Sequence, residues 1–185
     1  MNIDIKDIIN EHILTANNLL DDSDLIKEIC SLSLKTIQRG NTILLCGNGG
    51  SASDSIHISS ELVGKFEKER KALPSISLSS NPSNLTAIAN DFGFENIFSR
   101  QIEAIGKKGD LLIAISTSGN SKNIINAIDC AILRELNVVA FTGRDGGQIN
   151  QMDCIKLKIP NDAHRYLTET LDFLIPWPKR NSYSS

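Results

Sequence analysis

Long hydrophobic runs, clustered cysteines, a basic surplus and an even spread of aromatics are all missing from this chain of 185 residues. No segment approaches the ~20 apolar residues that a membrane-spanning helix needs. The four cysteines (Cys30, Cys46, Cys130, Cys154) form no CxxC pair and are too sparse for the disulfide framework of a small secreted fold. Reduced, mostly buried thiols are therefore expected. With 19 basic against 22 acidic side chains, the formal net charge of -3 offers no general footprint for a nucleic-acid backbone. Gly (12) and Pro (5) are neither enriched nor periodic, which excludes collagen-like and low-complexity classes. An apolar content of 41% with so small a net charge excludes intrinsic disorder. The N-terminal residues Met1 to Asp7 are charged and amphipathic, unlike a signal peptide, so a cytoplasmic location is expected. Tyr and Trp are absent from the body of the chain: Tyr166, Trp177 and Tyr183 all fall within the last 20 residues.

What is present is a helical segment followed by alternation. From Ile5 to Arg39 apolar residues recur at steps of three and four: Ile5, Ile9, Ile13, Ala16 and Leu20, then Ile26, Cys30, Leu34 and Ile37. Asp21 to Asp24 interrupt the pattern and offer N-caps to a second helix. After Gly40 the register changes to short apolar runs separated by helical stretches. The runs are Thr42 to Cys46, Ser75 to Leu78, Leu111 to Ile115, Val138 to Phe141 and Ile155 to Ile159. Five such runs predict an α/β fold with a five-stranded parallel sheet flanked by helices, preceded by an N-terminal helical hairpin over residues 1–40. The hairpin suits either oligomer contacts or a lid on the sheet. Residues 41–160 then form the sheet domain, with residues 161–185 as a tail.

Two strand-to-helix turns carry candidate chemistry, because in doubly wound sheets ligands sit at the carboxyl ends of strands. The first turn is Cys46-Gly47-Asn48-Gly49-Gly50-Ser51. It presents backbone N–H groups at a helix start, yet it is neither GxGxxG nor a P-loop, and a purely structural tight turn fits it as well. The second turn, Ser116-Thr117-Ser118-Gly119-Asn120-Ser121, puts four hydroxyls before a helix that starts near Lys122. One N-cap needs one hydroxyl, so the surplus favours a neutral cradle for a phosphate monoester. Ser53, His57 and Glu61 share one helix face at i, i+4 and i+8. His and Glu at that spacing suit a divalent metal or proton transfer, although most such pairs are solvated helix contacts and two donors alone make no zinc site. Asn90 and Asp91 end a helix that starts near Ser83 and could reach the same cleft; alone they are an ordinary helix stop.

Taken with Ala89-Asn-Asp-Phe-Gly-Phe94, Phe98-Ser-Arg-Gln101 and Thr142-Gly-Arg-Asp-Gly-Gly147, these motifs resemble, in order and spacing, the phosphoheptose (sedoheptulose 7-phosphate) isomerases of the sugar isomerase, or SIS, fold. The resemblance runs from the N-terminal helices to about Pro160. It implies a cytoplasmic homotetramer converting D-sedoheptulose 7-phosphate to D-glycero-D-manno-heptose 7-phosphate, for lipopolysaccharide or capsule heptose. It also implies that Asn48, Gly49, Gly50, Asn90, Asp91, Ser116, Thr117, Ser118 and Ser121 line the sugar-phosphate site together with Glu61. His57 and Glu61 would hold one Zn²⁺ per subunit. Ketose-to-aldose isomerisation needs a carboxylate base, which Glu61 would supply, and stabilisation of the enediolate.

The chain departs from the family after Pro160, where the family's last helix supplies a Gln and, roughly two helical turns on, a His. Residues 161–178 contain no Gln and no later His, and His164 falls before the expected helix, so the implied zinc site is incomplete. Two accounts of this departure stand. Written with permitted codons and read one nucleotide on, His164 to Trp177 yields a Gln and a His at the family spacing with apolar residues between them, as a shifted reading frame would. Alternatively the tail is genuinely divergent, with Leu167, Leu171, Leu174 and Ile175 as a short apolar face before Pro176. A non-catalytic SIS module that binds a sugar phosphate or a protein is the alternative function.

Overall fold

The structure, a computed structural model, describes residues 5–65, 69–143 and 145–159. The tail from Pro160, with His164, Tyr166, Trp177 and Tyr183, lies outside the described residues. Helix α1 (Ile5–Asn18) and helix α2 (Ser23–Gln38) form the N-terminal pair. Of the acidic residues expected to cap α2, Asp22 occupies the N-cap position but makes no side-chain cap bond, and Asp24 pairs with Lys27 at 2.7 Å.

The five expected strands are all present: β1 (Ile43–Gly47), β2 (Ser75–Ser77), β3 (Leu111–Ser116), β4 (Asn137–Gly143) and β5 (Ile155–Ile159). They form one all-parallel sheet in the order β2-β1-β3-β4-β5. Parallel strands in such a sheet are covered on both faces, which is why β1 and β3 are apolar at nearly every position and buried throughout. Helix α3 (Gly50–Val63) connects β1 to β2. Helices α4 (Pro82–Phe92) and α5 (Ser99–Ile105) connect β2 to β3, and α6 (Lys122–Leu133) connects β3 to β4.

Alternation along the strands divides the core in two. Ile43 and Leu45 of β1 face Ile29 of α2 and Ile58 and Leu62 of α3. Leu44 and Cys46 face the opposite layer, with Ile102 of α5 and Ile124, Ala127 and Ile128 of α6. The edge strand β2 meets α3 through hydroxyl pairs, Ser55–Ser77 at 2.8 Å and Ser59–Ser75 at 3.2 Å, so small side chains let this helix lie close to the sheet. Cys46 is buried, and burial pushes its thiol far above the ordinary range; Cys30, half-buried, is pushed up to about 11.

The helical pair divides its labour. Leu25, Ile26, Leu32 and Ile37 of α2 pack on the first core layer, as a lid would. The α1 stripe does not: Ile5, Ile9, Ile13 and, beyond the helix, Leu20 are all exposed, Ile5 at 69% and Leu20 at 70%.

Asp110 fastens the amino-terminal edge of the sheet. It is 2% exposed, and its carboxylate accepts from the Thr42 N–H (2.9 Å), the Asn41 amide (3.1 Å) and the Lys107 N–H (2.8 Å). Asp110→Ala strands two backbone donors beside β1 and β3. The expected cost is about 3 kcal/mol, read as a lower urea midpoint at unchanged slope; a midpoint that does not move contradicts this role.

Candidate active site

The helix after β1 covers one face of the sheet and the helix after β3 covers the other. Because β1 and β3 are neighbours in register, from Ile43↔Leu111 to Gly47↔Ile115, a crevice opens between their carboxyl ends. Both singled-out turns meet there.

In the first turn, close approach of the chain to its own helix requires glycine at position 47: a Cβ there would lie 2.4 Å from the Ser51 carbonyl oxygen. Ser79 brackets this residue, donating to the Gly47 carbonyl at 3.0 Å and accepting from its N–H at 3.4 Å. Gly49 is the N-cap of α3 at φ 56 and provides no side-chain cap.

In the second turn, Ser121 is the N-cap of α6, yet its hydroxyl caps no backbone N–H and accepts instead from the Ser116 hydroxyl at 3.3 Å. The ordinary capping role that could have explained this serine is therefore not the one it plays. By contrast, Asn81 caps α4 conventionally, accepting from the Ser83 and Asn84 N–H groups. Because α2 also starts without a side-chain cap, openness alone is not the signal. Two open helix starts converging on one crevice are, because amides and dipoles then address the same anion. Neither turn carries Lys or Arg.

The loop after β4 splints the second turn. The Gly143 N–H donates to the Thr117 carbonyl (3.0 Å), the Ile149 N–H to the Gly119 carbonyl (3.1 Å) and the Gln148 N–H to the Asn120 side chain (3.0 Å). The contact between Gly119 (φ 64) and Gly146 leaves no room for a side chain, since a Cβ on Gly119 would sit 1.9 Å from the Gly146 oxygen. This accounts for the Thr142 to Gly147 motif.

Among the residues singled out in the sequence, Asn48, Gly49, Gly50, Ser116, Thr117, Ser118 and Ser121 come together at the crevice. Asn90 and Asp91 lie exposed in the last turn of α4, bonded to each other at 2.7 Å. His57 and Glu61 lie in the second half of α3. Helix α3 runs back along the sheet, so its last turns sit beside the amino-terminal end of β2: Ser59 meets Ser75, and the Leu62 carbonyl accepts from Leu73 N–H. Glu61 is about 16 Å along the axis from Gly50. A single chain thus does not bring Glu61 over its own cradle. The Arg70 guanidinium caps this end of α3 by donating to the Glu61 and Leu62 carbonyls. Arg70, Ser79 and Asn123 were not legible as site residues: their partners lie across loops or, for Asn123 and Asn48, 75 residues away.

His57 and Glu61 offer two donors one helical turn apart. Among the described residues no group of three or more His, Cys, Asp or Glu could hold a metal ion, whereas catalytic zinc takes three protein ligands. The described residues therefore do not complete a zinc site.

Fold and crevice together define a doubly wound α/β domain with two glycine- and serine-rich helix starts at its switch point. The SIS domain family profile matches residues 13–143. The phosphoheptose isomerase of Aliarcobacter butzleri (strain RM4018) is 48% identical over 141 residues, covering 76% of this chain and 75% of that protein. That of Helicobacter pylori (strain P12) is 44% identical over 163 residues, covering 85% of each. The solved phosphoheptose isomerase of Neisseria gonorrhoeae superposes with a TM-score of 0.85 at 36% identity, covering 92% of each chain. The chain belongs to the SIS domain family and, within it, to the phosphoheptose isomerases, a group of sugar-phosphate isomerases.

Gly119→Ala must drive the two braced turns apart. Inorganic phosphate is expected to raise the Tm of the unmodified protein and to lose that effect on Gly119→Ala, measured as a thermal shift. An undiminished shift would show that the brace does not shape the cradle.

Proposed function

We propose that the chain converts D-sedoheptulose 7-phosphate to D-glycero-D-manno-heptose 7-phosphate in the cytoplasm, as the entry to heptose for lipopolysaccharide or capsule. The observation that carries this reading is the convergence of two open, glycine- and serine-rich helix starts on the crevice between β1 and β3. Such a cradle fits the phosphate end of a sugar phosphate, and the relatives named phosphoheptose isomerase support the heptose. Ser116, Thr117, Ser118 and Ser121 with the α6 amides take the phosphate. Asn48 to Gly50 meet the sugar, and Asn90 and Asp91 its far side. The Glu61 carboxylate removes a proton from C1 of the ketose while the C2 carbonyl oxygen gains one. The resulting enediol takes a proton at C2 as the C1 hydroxyl loses its own, giving the aldehyde. Anchoring the phosphate fixes the reacting carbons for that transfer.

The distance along α3 supports giving the base to a neighbour, with Glu61 of one copy serving the cradle of another within a homotetramer. The exposed apolar residues of α1 support such an assembly, since a row of that kind is usually covered by a second surface. Zinc, one ion per subunit, is proposed at His57 and Glu61, a donor pair that the described residues leave incomplete; when bound it would polarise the carbonyl oxygen. A second reading, a SIS module that binds sugar phosphate or a protein without turnover, is favoured by the incomplete donor set of the described residues.

Incubation with sedoheptulose 7-phosphate, with and without zinc, separates the two. Aldose product is expected, and thermal stabilisation without product would establish the binding module instead. Glu61→Gln is expected to lower kcat by about a thousandfold while substrate still raises Tm. Mixed oligomers of Glu61→Gln with Ser118→Asp should regain activity that neither variant has alone. Absence of any recovery would return the base to its own chain.

A further inference from the structure

The crevice is crossed by a closed pair of carboxamides. Asn48 Nδ2 donates to Asn123 Oδ1 at 2.8 Å, and Asn123 Nδ2 donates to Asn48 Oδ1 at 2.8 Å. Reversing either amide alone would set nitrogen against nitrogen and oxygen against oxygen, so each residue fixes the orientation of the other. Asn123 is the second residue of α6 and only 2% exposed, whereas Asn48 follows β1 and is half-buried. The pair therefore ties the first turn, whose helix covers one face of the sheet, to the helix that covers the other.

We propose that Asn123 is a positioning residue for the isomerase site, holding the plane of the Asn48 carboxamide so that its unused donor and acceptor address the sugar. This rests on the sugar-phosphate reading above. A paired carboxamide keeps one N–H and one oxygen lone pair unused. On Asn48, the less buried partner, these lie at opposite edges of the amide, a donor and an acceptor that address two different groups. A polyhydroxylated sugar chain, whose separate hydroxyls can donate and accept, meets both; a phosphate dianion, which only accepts, meets the donor alone. Asn48 consequently recognises sugar hydroxyls, while the hydroxyls and amides of the second turn take the phosphate. The pair also has an orienting consequence that apolar packing would lack. Two side chains of similar volume without polar atoms would fill the same space and leave Asn48 unaligned.

The test compares Asn123→Ala and the milder Asn123→Ser with the unmodified protein in four measurements: KM and kcat for sedoheptulose 7-phosphate, affinity for inorganic phosphate, Tm, and hydrogen exchange of the backbone amides at Asn48 to Gly50. KM is expected to rise about tenfold, the size of one lost hydrogen bond, with inorganic phosphate affinity within about twofold. Exchange at Asn48 to Gly50 should quicken. In an Asn48→Ala background, Asn123→Ala should add no further loss in KM, because the effect passes through Asn48. A KM unchanged in both variants, a loss that adds fully in the double variant, or parallel loss of phosphate affinity would overturn the proposal. Should the unmodified protein neither bind nor convert the sugar phosphate, the functional reading fails, and unchanged exchange at Asn48 to Gly50 would then also remove the clamp.

Discussion

Everything at the candidate site depends on one topological constraint, the reversal of strand order between β1 and β3. Right-handed crossovers send the connection from β1 leftward over one face and that from β3 rightward over the other. No helix can then cover the gap between the two strand ends. A sheet buried on both faces thus acquires one place where backbone amides are reachable, and the two turns least encumbered by side chains lie there. The sequence of each turn follows from that position. Small residues are required where a strand must reverse into a helix within a few residues of a neighbouring reversal.

The crevice is stiffened by backbone contacts more than by side chains. Gly47 lies against the Ser51 carbonyl, Gly119 against Gly146, and Gly147 against the Ser118 carbonyl, all closer than any β-carbon permits. Hydrogen bonds from Gly143 and Ile149 close the same unit. A cradle fixed in this way needs little ordering when an anion enters, and that preorganisation favours affinity. The Asn48–Asn123 pair extends the rigid unit across the gap to the turn after β1.

The sheet was readable in the sequence because strands buried on both faces are continuous apolar runs, as at Leu111 to Ile115. Strand ends were less so. β1 runs on to Gly47, β3 to Ser116 and β4 to Gly143, because the sheet continues into polar turn residues whose periodicity carries no strand signal. The α1 pattern was read correctly as helical, but amphipathicity says only that a face is apolar, not what covers it; Ile5, Ile9 and Ile13 join no core cluster among the described residues. Likewise the spacing of His57 and Glu61 defines a shared helix face and is silent about which end of the sheet that face occupies. The second turn was legible through its excess of hydroxyls. Asn123 was not, since nothing local distinguishes an asparagine that bonds a residue 75 positions away from one that faces solvent.

The two turns of the proposed cradle carry no Lys or Arg of their own, Lys122 following as the first residue of α6, and the chain bears a net charge of -3. Dipoles of amides and hydroxyls act over a short range, so they grip a phosphate that has arrived but draw none in from a distance. Capture by the turns alone would therefore depend on ordinary diffusive collision, with an association rate that added salt hardly alters. What such turns would give up in speed of encounter they would gain in discrimination: polyanions, which long-range fields concentrate at a basic mouth, are not drawn by amide and hydroxyl dipoles.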